Sequence, residues 1–242
     1  MRSGSHRVRL LVCSLLALMV AAVAAGCGRS GSDDQVKGKV LFVKNCSSCH
    51  TLARAGAKGI VGPNLDQAFG PARQDGLGKS TVDGVVRRQI AHPRRGSAMP
   101  MGLVSGKEAR DVAAYVAAVA GQRGKDVGQL ASAGAPKVSN TPIAAKGGKL
   151  QIDADPSGAL AFASTKATAP GGALQIMSLN KSSIQHYISV QDSSGKAIGT
   201  GARVSNGGTS KFTAKLKPGK YTFLCTVPGH AAGGMKGTLT VQ

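Results

Sequence analysis

The spacing of apolar and polar positions changes period halfway along the chain. Between Val36 and Asn45, apolar residues fall at Val36, Val40, Leu41 and Val43, with Phe42 among them, which predicts a short amphipathic helix. A clearer helix is predicted over Glu108–Ala120, where Val112, Tyr115, Val116 and Val119 recur at helical spacing. Ser105 and Glu108 have the spacing of a capping box ahead of it, and Gly121 and Gly124 end it. From Gln122 to Gly148 the chain is rich in Gly, Ala, Ser, Pro and Lys. This predicts a linker, partly extended at Pro136 and Pro142, that lets the two halves move relative to each other. From Lys149 the pattern turns to short runs: Leu150–Ile152, Leu160–Phe162, Leu174–Leu179, Gln185–Val190, Ser210–Leu216, Tyr221–Cys225 and Lys236–Val241. Gly, Asn, Asp and Ser clusters separate them, so they read as strands of a β-sandwich. Lys217-Pro218-Gly219-Lys220 is a turn before the Tyr221 strand.

The first helix runs into Cys46-Ser47-Ser48-Cys49-His50. Cys-x-x-Cys-His is a c-type haem attachment pattern. Two thiols three positions apart on a helical turn reach the two vinyl groups of one porphyrin, and the next imidazole faces the iron from the same side. A redox Cys-x-x-Cys or half of a zinc site are the other readings. No strand precedes the motif as in thioredoxin-like proteins, and no second cysteine pair completes a zinc site. With Gly62-Pro63-Asn64-Leu65, Ser97-Ala98-Met99-Pro100 and the helix after Ser105, residues 36–122 resemble class I cytochromes c. The resemblance implies a small all-α fold around haem c, held covalently by Cys46 and Cys49, with His50 proximal and Met99 distal to the iron. It also implies that Gly38 and Phe42 of the first helix cross Tyr115 of the last. A backbone carbonyl of the Gly62–Pro63 loop would orient the imidazole. Met101 competes with Met99 for the distal place, and His92 is a further alternative. Arg87, Arg88, Arg94 and Arg95 flank this segment and could neutralise haem propionates.

In the second half, the Tyr221 strand ends at Cys225, and Pro228, Gly229, Gly233 and Gly234 allow a tight loop carrying His230 and Met235. Thiolate, imidazole and thioether are three of the four ligands of a blue-copper site, which also needs a second imidazole. His186 is the remaining histidine of this half. The C-terminal stretch resembles the cupredoxins, especially auracyanin-like and rusticyanin-like blue-copper proteins, over roughly residues 147–242. That implies a Greek-key sandwich with His186, Cys225, His230 and Met235 on a type 1 copper. Many members carry Asn directly after the first histidine, where it helps tie the ligand loops together; here Tyr187 stands there.

Composition adds location. Arg2, Arg7 and Arg9 precede an apolar run from Leu10 to Ala25, too short for a comfortable membrane span. Ala24-Ala25-Gly26-Cys27 resembles a bacterial lipobox, which implies cleavage before Cys27, lipidation of its thiol and a membrane anchor. Of five cysteines, Cys13 and Cys27 belong to this segment and the other three to the two cofactor motifs, so no pair is left for a structural disulfide. Lys and Arg total 31 against 11 Asp and Glu, a formal +20. Nucleic acid is the generic partner of such charge, but an exported protein rarely meets it. Anionic lipid and redox partners with acidic docking surfaces are expected instead.

The expected organisation is a signal peptide over 1–27, a flexible tether over 28–35, a cytochrome c domain over 36–122, a linker over 123–147 and a cupredoxin domain over 148–242. The expected role is electron transfer on the extracytoplasmic face of a bacterial membrane, with no catalysis. A redox subunit of a terminal oxidase or reductase, and a copper-binding or copper-delivery lipoprotein, are the alternatives. A catalytic type 2 copper needs about three further histidines, and the chain after Cys27 offers only His50, His92, His186 and His230.

Overall fold

The computed structural model describes residues 33–242. The signal segment, Cys27 and most of the 28–35 tether lie outside the described residues. Helix α1 (Gln35–Asn45) begins at Asp34, whose side chain accepts from the Lys37 amide. A two-strand hairpin, β1 (Thr51–Leu52) and β2 (Ala57–Lys58), follows the cysteine motif, so this half is not purely helical. Then come α2 (Leu65–Gln74), α3 (Lys79–Ala91) and α4 (Gly106–Val119). Phe42 and Tyr115 meet where α1 crosses α4, their ring centroids 6.4 Å apart. Around them Leu41, Leu52, Ile90, Val112, Val116 and Val119 make one core.

Helices α2 and α3 both contain residues that weaken a helix. Gly70 and Pro71 interrupt α2, and Gly84 with several β-branched residues weakens α3. Asn64 starts α2 by accepting from the amides of Asp66 and Gln67, and α3 is fixed by burying Val82 and Ile90. The expected capping box is not formed: Ser105 stands at the N-cap of α4, but its side chain makes no capping bond.

The segment expected to be a loose linker is largely anchored. Asp126, its side chain 2% exposed, pairs with Lys39 at 3.0 Å and Arg54 at 2.8 Å, and accepts from the Tyr115 hydroxyl at 2.8 Å. Helix α5 (Gln129–Ser132) lies beside α1, and Lys39 Nζ donates to the Leu130 carbonyl at 2.6 Å. Further on, β3 (Ile143–Ala144) joins a sheet of the second half.

That half is a sandwich. One sheet has β4 (Lys149–Gln151), β6 (Gly172–Asn180) and β9 (Gly208–Leu216). The other runs in the order β3, β5 (Lys166–Ala169), β11 (Lys236–Val241), β10 (Gly219–Leu224), β7 (Ser189–Gln191), β8 (Ala197–Thr200). Leu150, Ile152, Phe162, Leu174, Ile176, Ile188, Phe223 and Leu239 fill the core, with Phe162 edge-on to Phe223 at 5.5 Å. Leu160–Phe162 is not a strand but a loop held by the single bridge Ala154–Phe162. Strands β3, β5 and β8 carry little apolar alternation and are defined by their pairing instead. Among the described residues no helix is long and apolar enough to cross a membrane.

Candidate metal centres

The haem motif lies at the end of α1, where the Cys46 amide still bonds to the Phe42 carbonyl and the His50 amide to that of Cys46. This turn carries Cys46, Cys49 and His50 on one short stretch of backbone. Cys46 and Cys49 are free thiols. Burial, with the nearby Cys49 adding, pushes the Cys46 thiol up to about 12. His50 Nδ1 donates to the Pro63 carbonyl at 2.9 Å. That bond assigns the proton to Nδ1 and leaves Nε2 with a free lone pair for iron. Gly62 is required beneath the ring: a Cβ there would stand 2.7 Å from His50 Cε1. The residues therefore fit covalent haem on the thiols and axial ligation by His50.

The structure separates the two candidate distal methionines. Met99 packs against the helical core, and Gln89 Nε2 lies 3.8 Å from its sulfur. Met101 is 76% exposed. His92 is exposed at the end of α3, as are Arg87, Arg88, Arg94 and Arg95, and Arg87 is paired with Asp83 at 2.7 Å.

In the sandwich, His186, Cys225 and His230 are all buried and bring their donor atoms within 4.8 Å of one another. This is the one such cluster among the described residues. The two Nδ1 atoms are 3.1 Å apart, and Cys225 Sγ lies 3.5 Å from that of His230 and 4.0 Å from that of His186. One point in the plane of these three atoms is about 2.1 Å from each, which matches the metal–nitrogen and metal–thiolate lengths of roughly 2.0–2.3 Å. Burial holds His186 down to about 3 and His230 to about 4. Both imidazoles are thus neutral near pH 7 and keep a lone pair to donate. Burial raises the Cys225 thiol, against hydrogen bonds from the backbone amides of Tyr187 and Val227. Bound metal would reverse that balance, because thiolate is the ligand form. Met235 is fully buried beside them; its amide donates to the His230 carbonyl and its carbonyl accepts from the Cys225 amide, both at 3.0 Å. The donor set is that of type 1 copper.

His186 is not within β7 but in an isolated two-way bridge with Val204 just before it. Sequence reasoning missed the residue that frames this bridge. Buried Asn180 donates at 2.7 Å to the carbonyls of both Ile184 and Val204. The loops are tied there, and by the Tyr187 amide on Cys225, without an asparagine after His186. Only the choice of a polar residue at the end of an otherwise apolar strand could have pointed to Asn180.

Residues 35–120 match the family model for cytochrome c, and residues 149–242 match that for copper binding proteins of the plastocyanin/azurin family. Similar solved structures include dithionite-reduced auracyanin from the photosynthetic bacterium Roseiflexus castenholzii, at 25% identity over 40% of this chain and 99% of that one, with a TM-score of 0.37. Auracyanin A, a "blue" copper protein from Chloroflexus aurantiacus, is 23% identical over 39% of this chain and 98% of its own, TM-score 0.33. Rusticyanin from Thiobacillus ferrooxidans is 19% identical over 44% and 86%, TM-score 0.35.

Proposed function

We propose, from the matches of residues 35–120 to the cytochrome c model and of residues 149–242 to the plastocyanin/azurin model, that the chain is a lipid-anchored electron carrier on the extracytoplasmic face of a bacterial membrane. Its cofactors are haem c and type 1 copper. Each supplies a one-electron couple that needs no substrate bond made or broken.

The protein's part is to hold both groups in fixed, enclosed settings. Cys46 and Cys49 attach the haem, and the His50–Pro63 hydrogen bond orients the proximal ring. Met99 would supply a thioether to the iron, which would favour electron transfer over binding of oxygen or peroxide. His186, Cys225, His230 and Met235 would hold copper in a buried cage, in which the donor atoms of the two histidines and the cysteine already stand together. That preformed convergence is the observation that carries the reading, since little rearrangement is needed when the metal changes oxidation state. Cys27 carries the anchor, and once Arg2, Arg7 and Arg9 are removed with the signal segment 28 Lys and Arg face 11 Asp and Glu, a formal +17 that supports docking to partners with acidic surfaces.

A visible spectrum of the haem- and copper-loaded protein tests this. Narrow c-type bands in the reduced form and an intense thiolate-to-copper band in the oxidised form are expected. A haem spectrum that stays alone after copper addition would remove the copper reading. Rapid binding of carbon monoxide or cyanide by resting protein would reveal an open iron and favour catalysis. Mass spectrometry of membrane fractions is expected to find an acylated Cys27, and Cys27→Ala to release the chain into the soluble fraction.

A further inference from the structure

The two cofactor loops are neighbours. Helix α6 (His230–Gly233), which begins at a copper-binding residue, packs against β2 of the helical domain. Gly229 lies against Ile60: a Cβ on Gly229 would stand 3.0 Å from Ile60 Cγ1. Gly59, the residue before Ile60, is layered on the haem motif, where a Cβ would fall 2.5 Å from the Cys49 carbonyl carbon. A single file of backbone and one side chain thus runs from Cys49 through Gly59 and Ile60 to Gly229 and His230. A second contact lies at the end of α1, where a Cβ on Gly158 would be 2.9 Å from the Lys44 carbonyl oxygen. Val43, Ser47 and Ala57 on one side face Ala159, Leu160 and Gly233 on the other across the same small cleft. These are small or apolar groups, which can close together with little desolvation cost.

The connection between the domains restricts how far they can part. On the helical side Gly134 is anchored, where a Cβ would lie 2.9 Å from Val43 Cγ2. On the sandwich side the Lys137 amide donates to buried Asp155 at 2.9 Å. Between these two residues lie Ala135, whose amide donates to the Ser132 carbonyl at 3.3 Å, and Pro136. Three Cα–Cα steps of about 3.8 Å limit the reach to roughly 11 Å, and proline stiffens one of them. A tether this short keeps the partner surfaces at high effective concentration.

We propose that the copper loop, residues 229–234, docks on residues 57–60 beside the haem motif, and that the redox partner of the copper site is the haem of the same chain. This rests on the electron-carrier reading above. The exchange is one electron: a cuprous site is oxidised as a ferric haem is reduced, or the reverse, with no proton or bond moved.

The test uses the full chain and Ile60→Asp, a change at a side chain 65% exposed. The first readout is hydrogen–deuterium exchange of the amides at 57–60 and 229–234. Exchange is expected to be slow in the unmodified chain and faster in Ile60→Asp. The second is electron equilibration after flash reduction. A phase independent of protein concentration is expected in the unmodified chain and its loss in Ile60→Asp, with both visible spectra retained. Gly158→Leu, at the other contact, is expected to act alike. Unchanged exchange and kinetics in both variants, or equilibration that scales with protein concentration in the unmodified chain, would overturn the docking. Hydrogen exchange also reads copper-free chain. A missing blue band would therefore sink the copper reading while the docking is still decided.

Discussion

Gly38 of α1 lies directly against the backbone carbonyl of Asp111 in α4, and any Cβ at that position would collide with it. The two helices approach so closely because one of them has no side chain at the crossing. The contact brings Phe42 and Tyr115 together one turn further on. Gly38→Ala is therefore expected to force the helices apart and lower stability by about 1–3 kcal/mol, the usual range for overpacking. Denaturant unfolding of the haem-loaded chain measures it.

Asp126 is the charged centre of the same domain. Its carboxylate serves Lys39, Arg54 and Tyr115 together. Burial works to raise its pKa, but the hydrogen bonds from Lys39 and Tyr115 and the two cations hold it below the ordinary carboxylate value. A carboxylate depressed in the folded state stabilises fully above its unfolded pKa, near 3.9, and loses that contribution as pH falls through the lower folded value. The chain is expected to lose stability in acid, in the window below about pH 4, and Asp126→Asn to flatten that dependence. At pH 7, Asp126→Asn leaves Lys39, whose side chain is 6% exposed, with an uncompensated charge. The expected cost is about 3–5 kcal/mol. Thermal unfolding across pH separates the two effects.

The distal side of the haem allows a clean contrast. Met99 packs on the core and Met101 projects into solvent. Met99→Ala is expected to open the iron, so that carbon monoxide binds the reduced protein at once. Met101→Ala is expected to leave the spectrum and its response to carbon monoxide unchanged. The reverse pattern would transfer the ligand role to Met101.

Asn180 holds the approach to His186. Asn180→Ala removes the amide donor from the buried carbonyls of Ile184 and Val204. The expected loss is about 1–3 kcal/mol in copper-free protein. Copper transfer to a chelator is expected to become faster, because the bridge that places His186 is loosened. Unchanged release with lowered stability would confine Asn180 to the fold.

Both cofactor motifs were legible because each is local. Cys46, Cys49 and His50 sit on one turn, and Cys225, His230 and Met235 on one loop, so spacing alone carries their chemistry. The sandwich was legible where strands alternate strongly, as in β6 and β9. Helix α2, with its Gly70 and Pro71, and the two-residue β3 depend on an N-cap and on a neighbouring strand, which composition does not reveal.

Donor types, their order and the two classes of fold are written locally in the chain, since backbone geometry and ligand chemistry act over a few residues. Tertiary structure alone decided what depends on distant partners. It brought His186 to Cys225 across 39 residues, turned Met99 inward and Met101 outward, and bound Asp126 to Lys39. It also made an anchored connection of a segment whose composition predicts a loose one. The physical reason is the same in each case: a polar or flexible residue takes its meaning from what packing places opposite it, and that is not encoded in its neighbours along the chain.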